Sequence, residues 1–214
     1  MRALEVLRAA EVVVYDRLVA PEILALVPQR VIRVATGRPV DHRGLGQSGV
    51  CETLTRLALA GRRVVRLMGG DAFVLGWGSE EALALSRQGV VFEIVPGVSA
   101  AAACAAYSGV PLTHRGLSRN VRFIAGHIRA NQRPAPDWRR LAGPDMTLTA
   151  CMSLPSVERL CRGLLEQGMD PATPGLLIQD GTTPRQRRMF GDISTLAERA
   201  RASGFGSPVL VVIG

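Results

Sequence analysis

Two hydrophobic rhythms alternate along the sequence. Short runs that are apolar at successive positions occur at residues 12–14, 31–34, 64–67 and 91–95. These runs are rich in Val and Ile, and they predict strands covered on both faces. Between them, apolar residues recur at helical spacing over residues 3–9, 47–60, 79–88 and 99–107. Strand and helix in alternation predict an α/β fold with a largely parallel sheet. A second series follows, with strands at 121–125, 146–152, 175–179, 187–190 and 209–213 and helices at 155–168 and 193–202. The pattern is that of two α/β domains, residues 1–117 and 118–214, joined near Leu117 and Asn120.

Composition narrows the classes. The 214 residues are 47% hydrophobic but only 4% aromatic, so the core is built from Val, Leu and Ala. The longest uncharged run, residues 94–113, is broken by Pro96, Gly97, Gly109 and Pro111. A membrane helix needs about 20 predominantly apolar residues, and this run does not supply them. The first residues mix Arg2, Glu5, Arg8 and Glu11 among apolar ones, an amphipathic helix rather than a signal peptide. No membrane association and a cytoplasmic location are the expectations. Cys51, Cys104, Cys151 and Cys161 form no C-x-x-C pair, and His42, His114 and His127 have no ligand spacing. Neither a disulfide framework nor a metal site is expected.

The net charge is +8, and all 26 basic residues are arginine. An excess of this sign implies an acidic partner. No basic stretch is interleaved with aromatics, which argues against nucleic acid. Arginine grips carboxylates with two parallel hydrogen bonds, so a carboxylate-rich small molecule suits the charge better.

The densest chemistry lies at Met68-Gly69-Gly70-Asp71-Ala72-Phe73-Val74, directly after the predicted strand 64–67. Glycines in such a turn let a ligand reach backbone that a Cβ would screen. Asp71 is placed to accept hydrogen bonds from sugar hydroxyls. Alone this is a weak nucleotide-site signal, because it lacks the G-x-G-x-x-G order. Its companions are Val14-Tyr15-Asp16-Arg17-Leu18-Val19, Val95-Pro96-Gly97-Val98-Ser99-Ala100, Pro111-Leu112-Thr113-His114-Arg115 and Gly126-His127.

In that order and spacing, the set resembles the tetrapyrrole methylase superfamily across nearly the whole sequence. Within it the protein is most similar to members that C-methylate uroporphyrinogen III to precorrin-2. The resemblance implies two α/β domains with an interdomain active-site cleft, and S-adenosyl-L-methionine as cofactor. It implies cofactor contacts at Gly69, Gly70, Asp71, Val74, Ser99, Ala100, Met152 and Gly181. Ser99 and Ala100 open a helix whose free N–H groups suit a carboxylate. The resemblance also implies acid–base roles for Asp16 and Arg38, substrate contacts at His114 and Arg115, and a homodimer. Arg38 stands where relatives carry lysine. Arginine hardly releases a proton, so anchoring a substrate carboxylate suits it better.

Several positions depart from the family pattern. Relatives begin with a strand and a Gly-x-Gly-Pro-Gly-Asp-Pro loop, whereas Met1-Arg2-Ala3-Leu4 matches the helix that follows them. Truncation is the expectation, since loss of a central strand exposes sheet edges and apolar surface. Relatives carry lysine at Met68, proline at Ala72 and Arg-Gly-Gly at Trp77-Gly78-Ser79. They also flank the second-domain methionine with an aromatic and a glycine, where Cys151 and Ser153 stand. A related methylase on a different tetrapyrrole, or a cofactor-binding paralogue weakened in catalysis, therefore stands beside the leading reading.

Overall fold

The computed structural model describes residues 1–16, 18–37, 45–124, 137–141, 143 and 145–214. Arg38, named above for acid–base work, lies outside the described residues, as do Arg17, Gly126 and His127. Contacts group the protein into two compact units, Met1–Val98 and Ser99–Gly214.

The first unit runs α1 (Arg2–Ala9), β1 (Val12–Tyr15), α2 (Pro21–Leu24), β2 (Ile32–Ala35), α3 (Gln47–Leu59), β3 (Val64–Leu67) and α4 (Gly78–Arg87). Its three strands are parallel, in the order β2-β1-β3. Successive residues of β1 are buried against opposite layers, which explains the unbroken valine run. Val13 packs with Leu7, Ala10, Val27 and Val31 on one face. Val12 and Val14 pack with Val50 and Leu54 of α3 on the other. Because β1 leads to β2 on one side and β3 is added on the other, the strand order reverses at β1. The carboxyl ends of strands at such a reversal are where open α/β sheets bind ligands.

The strand expected at 91–95 does not form. Residues 90–99 carry no strand pairing, and Val91 is 96% exposed. A trough of about 590 Å³ is lined by α1 residues Ala3 and Val6, β3 residues Val65 and Leu67, and the segment from Val90 to Gly97. No described strand lies beside this segment to pair with it, so its apolar residues face the trough. Arg2 of α1 fastens the segment through Glu93, at 2.6 Å.

The second unit runs α5 (Ala100–Tyr107), β4 (Asn120–Ile124), α6 (Trp138–Leu141), β5 (Met146–Met152), α7 (Leu154–Glu166), β6 (Pro174–Gln179), β7 (Arg187–Asp192), α8 (Leu196–Ala202) and β8 (Val209–Ile213). Its five strands are ordered β4-β5-β8-β6-β7. Only β4 and β5 are parallel; the remaining pairs are antiparallel, whereas the parallel sheet expected from the first series forms in the first unit. Val209, Val211 and Ile213 of β8 join Leu160 and Leu164 of α7 and Leu196 of α8 in the larger core. Leu210 and Val212 face the opposite way, onto Ala101 and Cys104 of α5. That packing puts α5 in the second unit. The units therefore divide between Val98 and Ser99, ahead of the boundary expected near residues 117–120. Neither α2 nor α6 was expected from spacing, since each spans a single turn. No helix among the described residues is long and apolar enough to cross a membrane.

Candidate active site

At the carboxyl end of the first sheet, three strand ends converge. Asp16 follows β1, and its backbone N–H donates to the Leu67 carbonyl at the end of β3. Thr36 follows β2, and its N–H donates to the Tyr15 carbonyl. The Asp16 carboxylate accepts through Oδ1 from Arg66 Nη2 at 2.6 Å and from Thr36 Oγ1 at 3.3 Å. Arg66 is paired in register with Val14, and so points toward the α3 and α4 layer. There its Nε donates to both oxygens of Glu81, at 3.0 and 3.2 Å, while Nη1 donates to the Leu67 carbonyl. Gln47 of α3 donates to Glu81 Oε1 at 3.4 Å. Exposure falls along this series of charges: the Asp16 side chain is 31% accessible, Arg66 13% and Glu81 4%. Glu81 also lies in the first turn of α4, where the helix dipole favours an anion.

Sequence reasoning found Asp16 and missed its partners. One signal was present: Arg66 is a charge inside an otherwise apolar strand. A second was Glu81, which stands four residues before Leu85 and therefore shares its inward helix face.

The glycine-rich turn leaves β3 at the same end of the sheet. Asp71 does not hold its carboxylate free for a ligand. Oδ1 accepts from Phe73 N–H and Oδ2 from Gly97 N–H, both at 2.9 Å. These bonds, that from Gly97 foremost, hold the carboxyl below its ordinary range. Gly70 has φ +84°, a conformation that favours glycine. A Cβ on Gly97 would lie 2.2 Å from the Gly70 carbonyl oxygen. Asp71 and Gly97 thus lock the turn. Gly69 faces open space, with nothing within 4 Å of a built Cβ, and Val74 is exposed.

In the second unit, Ser99 caps α5: its Oγ accepts from Ala102 N–H at 3.3 Å. Among the described residues, no hydrogen bond uses the N–H groups of Ala100 and Ala101. Gly181 lies in the turn after β6, and a Cβ there would come 2.2 Å from Cys104 Sγ. Cys104 stands one helical turn beyond Ala100, so Gly181 is seated on the face of α5 that Ala100 begins. Met152 ends β5, pairs with Val209 of β8 and is 3% exposed as a whole residue in the larger core. His114 and Arg115 form an exposed tight turn, closed by His114 N–H to the Ser118 carbonyl at 2.8 Å. They line a basin of about 600 Å³ with Thr113, Gly116, Ser118 and Arg119. Among the described residues, no group of three or more His, Cys, Asp or Glu could hold a metal ion.

Open backbone at Gly69, a locked turn and a carboxylate at a sheet reversal are the features of an α/β fold with a candidate small-molecule site at its strand ends. Comparison with known proteins makes the class specific. The profile of the Tetrapyrrole (Corrin/Porphyrin) Methylases matches residues 1–197. Siroheme synthase 1 of Halorhodospira halophila is 43% identical over 213 residues, covering 100% of this chain and 44% of the relative. The chain thus spans about half the length of the curated relatives it matches. The native uroporphyrin III C-methyltransferase of Thermus thermophilus superposes with a TM-score of 0.82 at 34% identity, over 100% of this chain and 85% of that one. A structure of that organism's enzyme complexed with S-adenosylhomocysteine gives 0.79 at 35%, over 100% and 89%. The chain belongs to the tetrapyrrole methylase family. It is an S-adenosyl-L-methionine-dependent methyltransferase.

Proposed function

We propose that this protein methylates uroporphyrinogen III at ring carbon, giving precorrin-2 for siroheme- or cobalamin-type tetrapyrroles. The observation that carries this reading is the Asp16 carboxylate. It sits at the strand reversal, beside the locked glycine turn, in a protein similar to uroporphyrin III C-methyltransferases. In the first unit, Gly69, Gly70 and Val74 present backbone and apolar surface to the cofactor, while Asp71 holds the turn in shape. In the second unit, Ser99, Ala100, Met152 and Gly181 do so, the free N–H groups of α5 suiting a carboxylate. When bound, the cofactor supplies a methyl group activated by its sulfonium. Reduced pyrrole carbon is nucleophilic, so alignment in a dry site supplies much of the acceleration. Asp16 then accepts the proton that the methylated ring gives up. His114, Arg115 and Arg38 hold substrate carboxylates. A cytoplasmic homodimer completes the reading.

The test is anaerobic incubation with uroporphyrinogen III and S-adenosylmethionine, read by product mass. A gain of one or two methyl groups is expected, and Asp16→Asn should abolish most of it. Unchanged turnover in Asp16→Asn would remove Asp16 from the chemistry. One observation favours a second reading, a methylase acting on another tetrapyrrole. Met68 and the 46% exposed Trp77 replace basic residues of relatives beside the turn. Methyl transfer to a later, more methylated tetrapyrrole, with none to uroporphyrinogen III, would select it.

A further inference from the structure

We propose that Arg66, gripped by Glu81, is the positioning residue for Asp16. It fixes one carboxylate oxygen so that the other is offered to the substrate. This rests on the reading of Asp16 as the proton acceptor.

Each nitrogen of the guanidinium has its own task. Nε is bound by Glu81, Nη1 by the Leu67 carbonyl and Nη2 by Asp16. A planar fork held at two corners leaves the third no freedom to swing. On Asp16, both hydrogen bonds, from Arg66 and Thr36, fall on Oδ1. Among the described residues, none reaches Oδ2. Among the described residues, the carboxylate is therefore fixed in rotation by one oxygen alone.

Charge supports the same division. One guanidinium faces two carboxylates, so the triad carries a net negative charge. Glu81 is the more buried partner and takes the bifurcated grip, leaving Asp16 the accessible end with its anionic character in use. An ion pair built only for stability gives no reason for both described hydrogen bonds to fall on one oxygen. Deep ion pairs are in any case a weak source of stability compared with apolar packing. In the proton-transfer step, the ring carries the positive charge that left the sulfonium when the methyl carbon–sulfur bond broke. A ring C–H bond then breaks, its electron pair returns to the ring, and the proton ends on Asp16 Oδ2. Both ring and cofactor product leave neutral at these centres.

The test compares wild type, Asp16→Asn, Arg66→Lys and Glu81→Gln for kcat, KM and S-adenosylhomocysteine affinity. Lysine keeps the charge but cannot span Glu81, the Leu67 carbonyl and Asp16 together. Glutamine keeps the shape at position 81 but removes the charge and one of the two oxygens that accept from Nε. Both should lower kcat by roughly 10- to 100-fold, the penalty of a misplaced reacting group. KM and cofactor affinity should stay within about twofold, since in this proposal both residues act through Asp16. Reading kcat well below each variant's melting point separates positioning from folding, because a merely structural pair would leave kcat of the folded enzyme intact. If Asp16→Asn is slow while Arg66→Lys and Glu81→Gln retain wild-type kcat, the positioning role is overturned and the assignment of Asp16 stands. If Asp16→Asn turns over like wild type, or wild type transfers no methyl group, the underlying reading falls and this one with it.

Discussion

Gly181→Ala is expected to destabilise the second unit, and removing the Cys104 sulfur is expected to restore much of the loss. The backbone of Gly181 is not in the left-handed region, so alanine is conformationally permitted there. Space is the obstacle. The new Cβ would meet Cys104 Sγ at 2.2 Å, Cys104 Cβ at 3.0 Å and Ile178 Cγ2 at 3.3 Å. Ordinary contacts between carbon atoms lie near 3.5–4.0 Å, so the sulfur would have to retreat by more than about 1 Å. Cys104 is itself buried against β6 and β8. Overpacking of this kind costs about 1–3 kcal/mol. For a protein of this size that lowers Tm by roughly 2–12 °C.

Cys104→Ala alone removes one buried heavy atom and should cost about 1 kcal/mol. In the double variant the worst contact is gone and the added methyl occupies the space of the sulfur. The two changes should couple favourably by roughly 0.5–3 kcal/mol. Urea denaturation of the four proteins measures this directly. Costs that add within about 0.5 kcal/mol would show that Gly181 is not seated on α5. The same proteins titrated with S-adenosylhomocysteine test the link to function, since a displaced Gly181 turn should weaken binding even where stability returns.

Four further outcomes follow from the turn and the core. Gly97→Ala forces a Cβ against the Gly70 carbonyl, where backbone cannot swing aside, and should cost about 1–3 kcal/mol along with cofactor affinity. Gly69→Ala meets nothing, so it should leave stability within about 0.5 kcal/mol while weakening S-adenosylhomocysteine binding; unchanged affinity would move the cofactor away from Gly69. For Asp71→Asn, the folded carboxyl titrates below its ordinary value, so its stabilisation is present above the unfolded value and is lost as pH falls through the folded one. The Tm gap to wild type, worth about 1 kcal/mol after solvent screening, should be full at pH 6 and close in acid; a gap that widens in acid would contradict the bonding of Asp71. Burial pushes the Cys161 thiol up to about 11, so at pH 8 it is thiolate on the order of one part in a thousand. It should resist a disulfide reagent until the protein unfolds.

The alternation of valine-rich runs and helical spacings was enough to locate every paired strand. It misled at 91–95, because a strand needs a neighbour as well as a propensity, and the neighbour is not visible in the segment itself. It set no strand direction in the second unit. Direction depends on how β8 inserts between β5 and β6, a long-range pairing that spacing does not encode. The site divided in the same way. Asp16 stood out through the resemblance of its motif, since a carboxylate at a strand end alone reads equally as an ion pair or a helix cap. Asp71 was legible as important but not in its task. Only the fold shows that both of its oxygens are spent on backbone N–H groups. Arg66 and Glu81 are distant in sequence and ordinary in type, and burial is what gives them meaning.

Where the protein departs from its family, the frame of the turn is intact and its rim is changed. Gly76 and Gly78 are both obligatory, since a Cβ on either would lie 2.7 or 2.5 Å from the Ala72 carbonyl oxygen. Trp77 stands between them and is exposed, so the segment holds its shape while presenting an indole at the position where the family resemblance implies an arginine. Trp77→Arg is therefore a test of the substrate with little risk to the fold. If the natural substrate is ringed by carboxylates, a returned guanidinium should lower KM for uroporphyrinogen III by roughly tenfold, the value of one charge-assisted contact of about 1.5 kcal/mol. Cofactor affinity should not change. A KM that is unaltered or higher, in a variant with wild-type melting, would mean that position 77 does not face a carboxylate. The indole would then mark a substrate with a less acidic edge.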